Sequence, residues 1–91
     1  MNLRKAAKGR DCQIRIPGHC NFDPETSVLC HKGGAGIALK SDDRIAAIGC
    51  SECHAIVDGA RKTGLDPDYI KLCFYEGIFR TQELWIKEGF M

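Results

Sequence analysis

The chain lacks any apolar run near the roughly 20 residues that a membrane-spanning helix needs, which excludes a helical membrane protein. Residues 1–11 hold no apolar stretch of the kind a secretory signal requires. The expected location is therefore cytoplasmic, where thiols stay reduced. Repeats, low-complexity tracts and linkers are also missing, so residues 1–91 are expected to form a single domain. Net charge is nearly absent: the formal value is +1. A global field that gathers polyanions is excluded, and any phosphate binding must be local. The charge that exists is uneven. Residues 1–20 carry five cations (Arg4, Lys5, Lys8, Arg10, Arg15) against one anion, Asp11. Residues 66–91 carry five acids against three bases.

What the chain does have is cysteine, six in 91 residues. A chain this short buries a small fraction of its surface and often relies on a metal, disulfides or a partner. With 44% hydrophobic residues it is globular rather than disordered. In a secreted domain the cysteines would form disulfides; in a reducing compartment, clustered cysteines are metal ligands, and metal is the preferred reading. Cys50-x2-Cys53 at the start of a helix aims two sulfurs at one ion, and the helix N-terminus favours their thiolates. Cys12-x7-Cys20 is looser, but the two pairs complete a tetrahedral four-cysteine set whose default occupant is a structural Zn²⁺. Cys73 falls on the apolar stripe of the last helix and reads as core. Cys30 reads as core or as a spare thiol.

The expected class is α+β. Residues 1–10 form a basic arm, frayed or briefly helical; residues 11–62 form a zinc and ββα core; residues 66–89 form a helical segment. Gln13-Ile14-Arg15-Ile16 alternates as a short strand does, and Pro17-Gly18 turns the chain. Ser27 to His31 reads as a second strand. Gly33, Gly34 and Gly36 dictate a loop, Ser41-Asp42-Asp43 a turn, and residues 45–48 a strand returning beside residues 28–31. Ser51 is an N-cap for a helix ending near Gly59. Asp66 caps a further helix with Pro67 at its first position and apolar residues at Ile70, Cys73, Phe74 and Ile78. Thr81 is expected to begin a second segment ending at Gly89. Phe74, Phe79, Trp85 and Phe90 read as helical core or as a partner surface.

Two histidines fall within the ββα unit, His31 on a strand and His54 on the helix. Asp58 lies four residues beyond His54, on the same helix face. This set suits phosphodiester hydrolysis. His54 and Asp58 would hold a divalent cation, Mg²⁺, Mn²⁺ or Zn²⁺, and His31 would act as general base on a water. Arg61, a third position on that face if the helix continues, Lys62 or Arg44 would pair with phosphate.

Leu29-Cys30-His31, Gly33-Gly34-x-Gly36, Asp42-Asp43 and Cys50-x2-Cys53-His54 in this order resemble the HNH (ββα-metal) nuclease motif with its treble-clef zinc. The longer pattern runs from Arg10-x-Cys12-Gln13-Ile14-Arg15-Ile16-Pro17-Gly18-x-Cys20-Asn21, through Pro24-Glu25-Thr26, to Cys53-His54 and Asp58-Gly59. It is similar to the prophage-borne YbcO-like family, regarded as nucleases. The resemblance covers roughly residues 8–62. It implies His31 as general base, His54 as ligand of the catalytic metal, and Asp58 where some members carry a further His or acid. Two positions depart from the pattern: Cys30 replaces the usual acid before the first His, and Asp43 is the nearest candidate for the central Asn.

The function expected is a metal-dependent DNA endonuclease or nickase of phage origin with little sequence preference. Its partners would be DNA and phage recombination or replication proteins, with no membrane. The alternative is a non-catalytic, zinc-stabilised module that binds DNA or a protein partner. A redox or zinc-sensing role for Cys50-x2-Cys53 is disfavoured by Cys12 and Cys20.

Overall fold

The computed structural model of the chain describes residues 2–31 and 43–91. The expected glycine loop and most of the turn after it fall outside these residues. Among the described residues there are five regular elements besides a 3₁₀ turn at Pro24–Thr26. In chain order they are α1 (Leu3–Ala7), β1 (Val28–His31), β2 (Ala46–Gly49), α2 (Ser51–Val57) and α3 (Pro67–Lys87).

β1 and β2 pair antiparallel, with Leu29 opposite Ile48 and His31 opposite Ala46. The class is α+β, as the patterning predicts. The small sheet is apolar on both faces because each face meets a separate core. Leu29, Ala46 and Ile48 pack with Leu3, Ala7 and Trp85. Cys30 and Ala47 pack on the other side with Ile14, Ile16, Ile56, Phe74, Ile78 and the remaining cysteines. α3 is long enough, at 21 residues, to serve both.

A two-stranded sheet leaves backbone groups unpaired on its outer edges, and buried ones need partners. β2 finds them outside the sheet. The Gln13 amide donates to the Ile48 carbonyl at 2.7 Å. The Ile48 amide donates to Thr81 Oγ1 at 3.0 Å, and that hydroxyl donates to the Gly77 carbonyl at 2.7 Å. Thr81 therefore does not restart a helix. Its hydroxyl serves β2, and α3 runs unbroken to Lys87. Asp66 caps this helix by accepting from the Asp68 amide at 2.8 Å, with Pro67 at its first position.

The alternation at residues 13–16 does not produce a strand. Arg15 adopts a left-handed φ of 54°. Its amide folds back to Cys12 Sγ at 3.5 Å, a closure that extended chain cannot make. Ser51 is likewise not the N-cap of α2. Cys50 takes that place and accepts from the Cys53 amide at 3.4 Å, while Ser51 Oγ accepts from Asn21 Nδ2.

The N-terminal segment is a short helix rather than a frayed arm. Five residues do not hold a helix in water unaided. Leu3 and Ala7 are buried in the second core. Arg10 secures the end: Nε donates to the Ala6 carbonyl at 2.6 Å, the guanidinium pairs with Glu88 on two oxygens, and the cation lies 5.0 Å from the Trp85 ring centroid. Phe90 adds a tilted ring contact to Trp85. Of the four aromatic residues marked in the sequence, Phe74 and Trp85 are buried, Phe90 is partly buried, and Phe79 is 65% exposed.

Gly77 shows how tightly α3 lies against the segment after Cys12. A Cβ there would meet Ile14 Cα at 3.0 Å and the Gln13 carbonyl oxygen at 3.1 Å. Alanine gains about 1 kcal/mol of helix propensity over glycine, but overpacking against backbone costs about 1–3 kcal/mol. Gly77→Ala is therefore expected to destabilise the fold by about 1 kcal/mol in a denaturant titration. An increase in stability would show that the contact yields freely.

Candidate metal centre and histidine cleft

Cys12 and Cys20 bracket a nine-residue knuckle. Gly18, with φ 78°, permits its tight turn, and the Cys20 amide closes on the Ile16 carbonyl at 3.0 Å. α2 brings the other pair, Cys50 just before its first residue and Cys53 one turn on. The four sulfurs lie within 4.8 Å of one another, and all four residues are buried. Cys50 Sγ and Cys20 Sγ are 3.8 Å apart. That is the edge, about 3.8 Å, of a tetrahedron whose centre is about 2.3 Å from each sulfur. The chain thus gathers a four-thiol cluster fit to hold a metal ion, from the four cysteines that the spacing picks out.

The electrostatics of the cluster agree with that role. The Cys12 thiol is lowered to about 4, chiefly because the Cys53 side chain donates to it, helped by the backbone amides of Arg15, Cys50 and Ile14. The Cys53 thiol is pushed upward because it is that donor. Burial pushes Cys20 up to about 11. Four anionic sulfurs do not coexist here without a cation. An ion that enters must expel the protons shared among them, so its affinity rises with pH. Cys30 and Cys73 stay outside the cluster as buried core residues. Burial raises the Cys30 thiol to about 12, so it remains a neutral SH.

α2 carries the cluster's geometry to a second place. His54 lies one residue past Cys53, and its amide donates to the Cys50 carbonyl at 2.9 Å. Its ring Nε2 is 2.9 Å from Asp58 Oδ2. Asp58 caps α2 at its C-terminal end, and Gly59 turns the chain away with φ 80°. Facing this pair, at the end of β1, His31 Nε2 is 2.5 Å from Asp43 Oδ1. Asp43 sits in the turn that leads into β2. The contact with His31, reinforced by Arg4, holds its carboxyl below the usual range.

His31, His54 and Asp58 line one open cleft of about 510 Å³, together with Val28, Leu29, Arg4 and Lys8. The structure therefore brings together the three residues marked as a catalytic set. It does not bring the expected phosphate ligands with them. α2 ends at Val57, so Arg61 leaves the His54–Asp58 face, and its Nε pairs with Glu52 Oε2 at 3.0 Å. The Arg44 carbonyl accepts from Gln82 Nε2 at 2.7 Å. Neither arginine, nor Lys62, lines the cleft.

In their place stand Arg4 of α1 and Lys8, which caps that helix; the sequence pattern places both only in a basic arm. The signal was present in outline. Leu3 and Ala7 are spaced as a buried helix face, with Arg4 and Lys8 one step beside them at the same spacing. The pairing of Asp43 with His31 spans residues outside the described set and had no local signal.

No helix among the described residues is long and apolar enough to cross a membrane. The family described as "Putative nuclease YbcO" matches residues 1–90. The chain is 53% identical over 91 residues to "Putative nuclease YbcO" of Escherichia coli (strain K12), covering 97% of this chain and 94% of that protein. It matches "Putative nuclease ybcO" of Enterobacteria phage 82 to the same extent, 53% identity over 91 residues. Among solved structures it is similar to "Structure of a putative bacteriophage protein from Escherichia coli str. K-12 substr. MG1655". That similarity has a TM-score of 0.83 and 51% identity, over 97% of this chain and 100% of the other. A match over nearly the whole chain, with the four-cysteine cluster and the histidine cleft inside it, places the protein in the YbcO family.

Proposed function

We propose that the protein is a metal-dependent DNA endonuclease of the HNH type, with Zn²⁺ in a treble-clef four-cysteine site and with little sequence preference. The observation that carries the reading is one cleft lined by His31 on β1 and by the His54–Asp58 pair on α2. The pair of antiparallel strands followed by a helix has the order of a ββα nuclease, with β1 and α2 carrying the histidines that line the cleft. Zn²⁺ is the metal that suits four closed thiolates, and a site with no open position is structural.

His54 and Asp58 fit a second, divalent cation. Their 2.9 Å separation is close to the roughly 3 Å between adjacent donors each about 2.1 Å from an octahedral ion. Among the described residues they form a pair rather than a complete cage, so phosphate oxygens and waters would supply the other ligands. Such a cation supplies Lewis-acid stabilisation of charge on the phosphate and on the leaving 3′ oxygen.

His31 is the general base. Asp43 accepts from Nε2, which fixes the proton there and leaves Nδ1 to take a proton from water. Asp43 thereby takes the orienting role of the central polar residue of the motif. Cys30, a neutral buried thiol, has no part in the metal chemistry.

Purified protein is expected to nick supercoiled plasmid with Mg²⁺ or Mn²⁺ and to stop when the ion is withheld. His31→Ala should slow nicking by about 10²–10⁴-fold with the fold intact. A folded, metal-loaded protein that retards DNA but cuts nothing under any of these ions would instead identify a binding module.

The His31–Asp43 contact has its own readout. In a carboxyl NMR titration the Asp43 side chain should titrate below about 3.9, and His31→Ala should raise it toward that value. A group whose folded pKa is depressed contributes stability above its unfolded pKa. That contribution is lost as pH falls through the folded value. An Asp43 titration unmoved by His31→Ala would show that the two side chains are not bonded in solution.

A further inference from the structure

Arg4 of α1 and Lys8, the residue that caps its C-terminal end, line the cleft beside the catalytic set, and Arg4 touches Asp43. We propose that Arg4 and Lys8 form a grip on two successive phosphates of one nucleic-acid strand, which lies along α1 and presents its backbone to His31. The proposal rests on the nuclease reading only for the position of the strand, and the grip would serve a binding module equally.

α1 is a fixed wall. Leu3 and Ala7 anchor one side in the core around Trp85, and Arg10, engaged by Glu88 and the Ala6 carbonyl, secures its end. The segment 2–10 contains four cations and no acid. One of these, Arg10, is committed to Glu88. Arg4 and Lys8, one turn apart, both line the cleft that holds His31, His54 and Asp58.

Arg4 contacts Asp43 through Nε at 3.3 Å, with its side chain 66% exposed. An exposed pair of this kind is worth about 0–1 kcal/mol, so a phosphate competes with it readily. The planar fork of arginine suits two oxygens of one phosphate, and lysine serves the next as a point charge. One cation on the helix and one at its C-terminal cap, four residues apart, fit a repeating anion better than a single small one. Contacts to phosphate alone carry no sequence information, which fits a cleft whose residues besides these cations and the His31, His54 and Asp58 set are the apolar Val28 and Leu29 of β1.

The test is the salt dependence of binding to a fluorescein-labelled duplex of about 20 base pairs, measured by anisotropy with the full chain and no added divalent ion. Each phosphate neutralised contributes about −0.9 to the slope of log K against log salt. Arg4→Ala and Lys8→Ala should each flatten the slope by about 0.9, and the double variant by about twice that. Arg4→Lys with Lys8→Arg should restore it, and Lys71→Ala on α3 should leave it unchanged. A wild type with no salt-dependent binding would overturn the grip. So would a double variant with the wild-type slope, or a slope that falls in Arg61→Ala and Lys62→Ala instead. Loss of all cleavage with these slopes as expected would end the nuclease reading and leave the grip standing. Undiminished kcat/KM for plasmid nicking in the double variant would end the grip and leave the nuclease.

Discussion

Four sulfurs held within 4.8 Å of one another set the rest of the molecule in place. The knuckle from Cys12 to Cys20 has no regular structure of its own, and α2 is only seven residues long. Neither element persists alone at that size. Joined at the one ion that the cluster could hold, they would become a rigid corner. Binding of a structural zinc supplies on the order of 10 kcal/mol at neutral pH, comparable to the whole stability of an ordinary domain.

From this corner the cleft follows by short covalent paths. His54 is the residue after Cys53, so its position is set by the four-cysteine cluster. His31 comes from β1, whose register against β2 is pinned by outside contacts: Gln13 on the Ile48 carbonyl and Thr81 on its amide. Gln13 is the residue after Cys12, so the knuckle also steadies the sheet. α3 completes the frame through Gly77, which lets the Ile14 backbone approach, and through Trp85, which anchors α1. The wall carrying Arg4 and Lys8 is therefore tied to the same frame as the wall carrying His54.

Features decided within a few residues were legible in the sequence. Cys50-x2-Cys53, the Asp66-Pro67 helix start, the strands ending at His31 and Gly49, and the one-turn spacing of His54 and Asp58 all depend on local chemistry. The misreadings came where a side chain left its local role for a distant one. Ser51 yielded the cap to Cys50, one of the four clustered cysteines. Thr81 used its hydroxyl on β2. Arg15 bent backward because its amide serves Cys12 Sγ, overriding an alternation that looked extended. Arg61 shares the His54–Asp58 face only if the helix continues past Gly59, and α2 ends at Val57. Asp43 reached His31 and Arg4 across sequence separations of 12 and 39 residues, which no local pattern encodes.

The most direct test is to remove the ion. Metal content should be measured on the purified chain, followed by a thermal melt by near-ultraviolet circular dichroism, with and without a strong zinc chelator. One tightly bound zinc per chain is expected, with loss of the cooperative melt and of the Trp85 signal when it is removed. A metal-free chain that melts cooperatively at the same temperature would contradict this, because the corner on which the cleft is built would then stand without its ion.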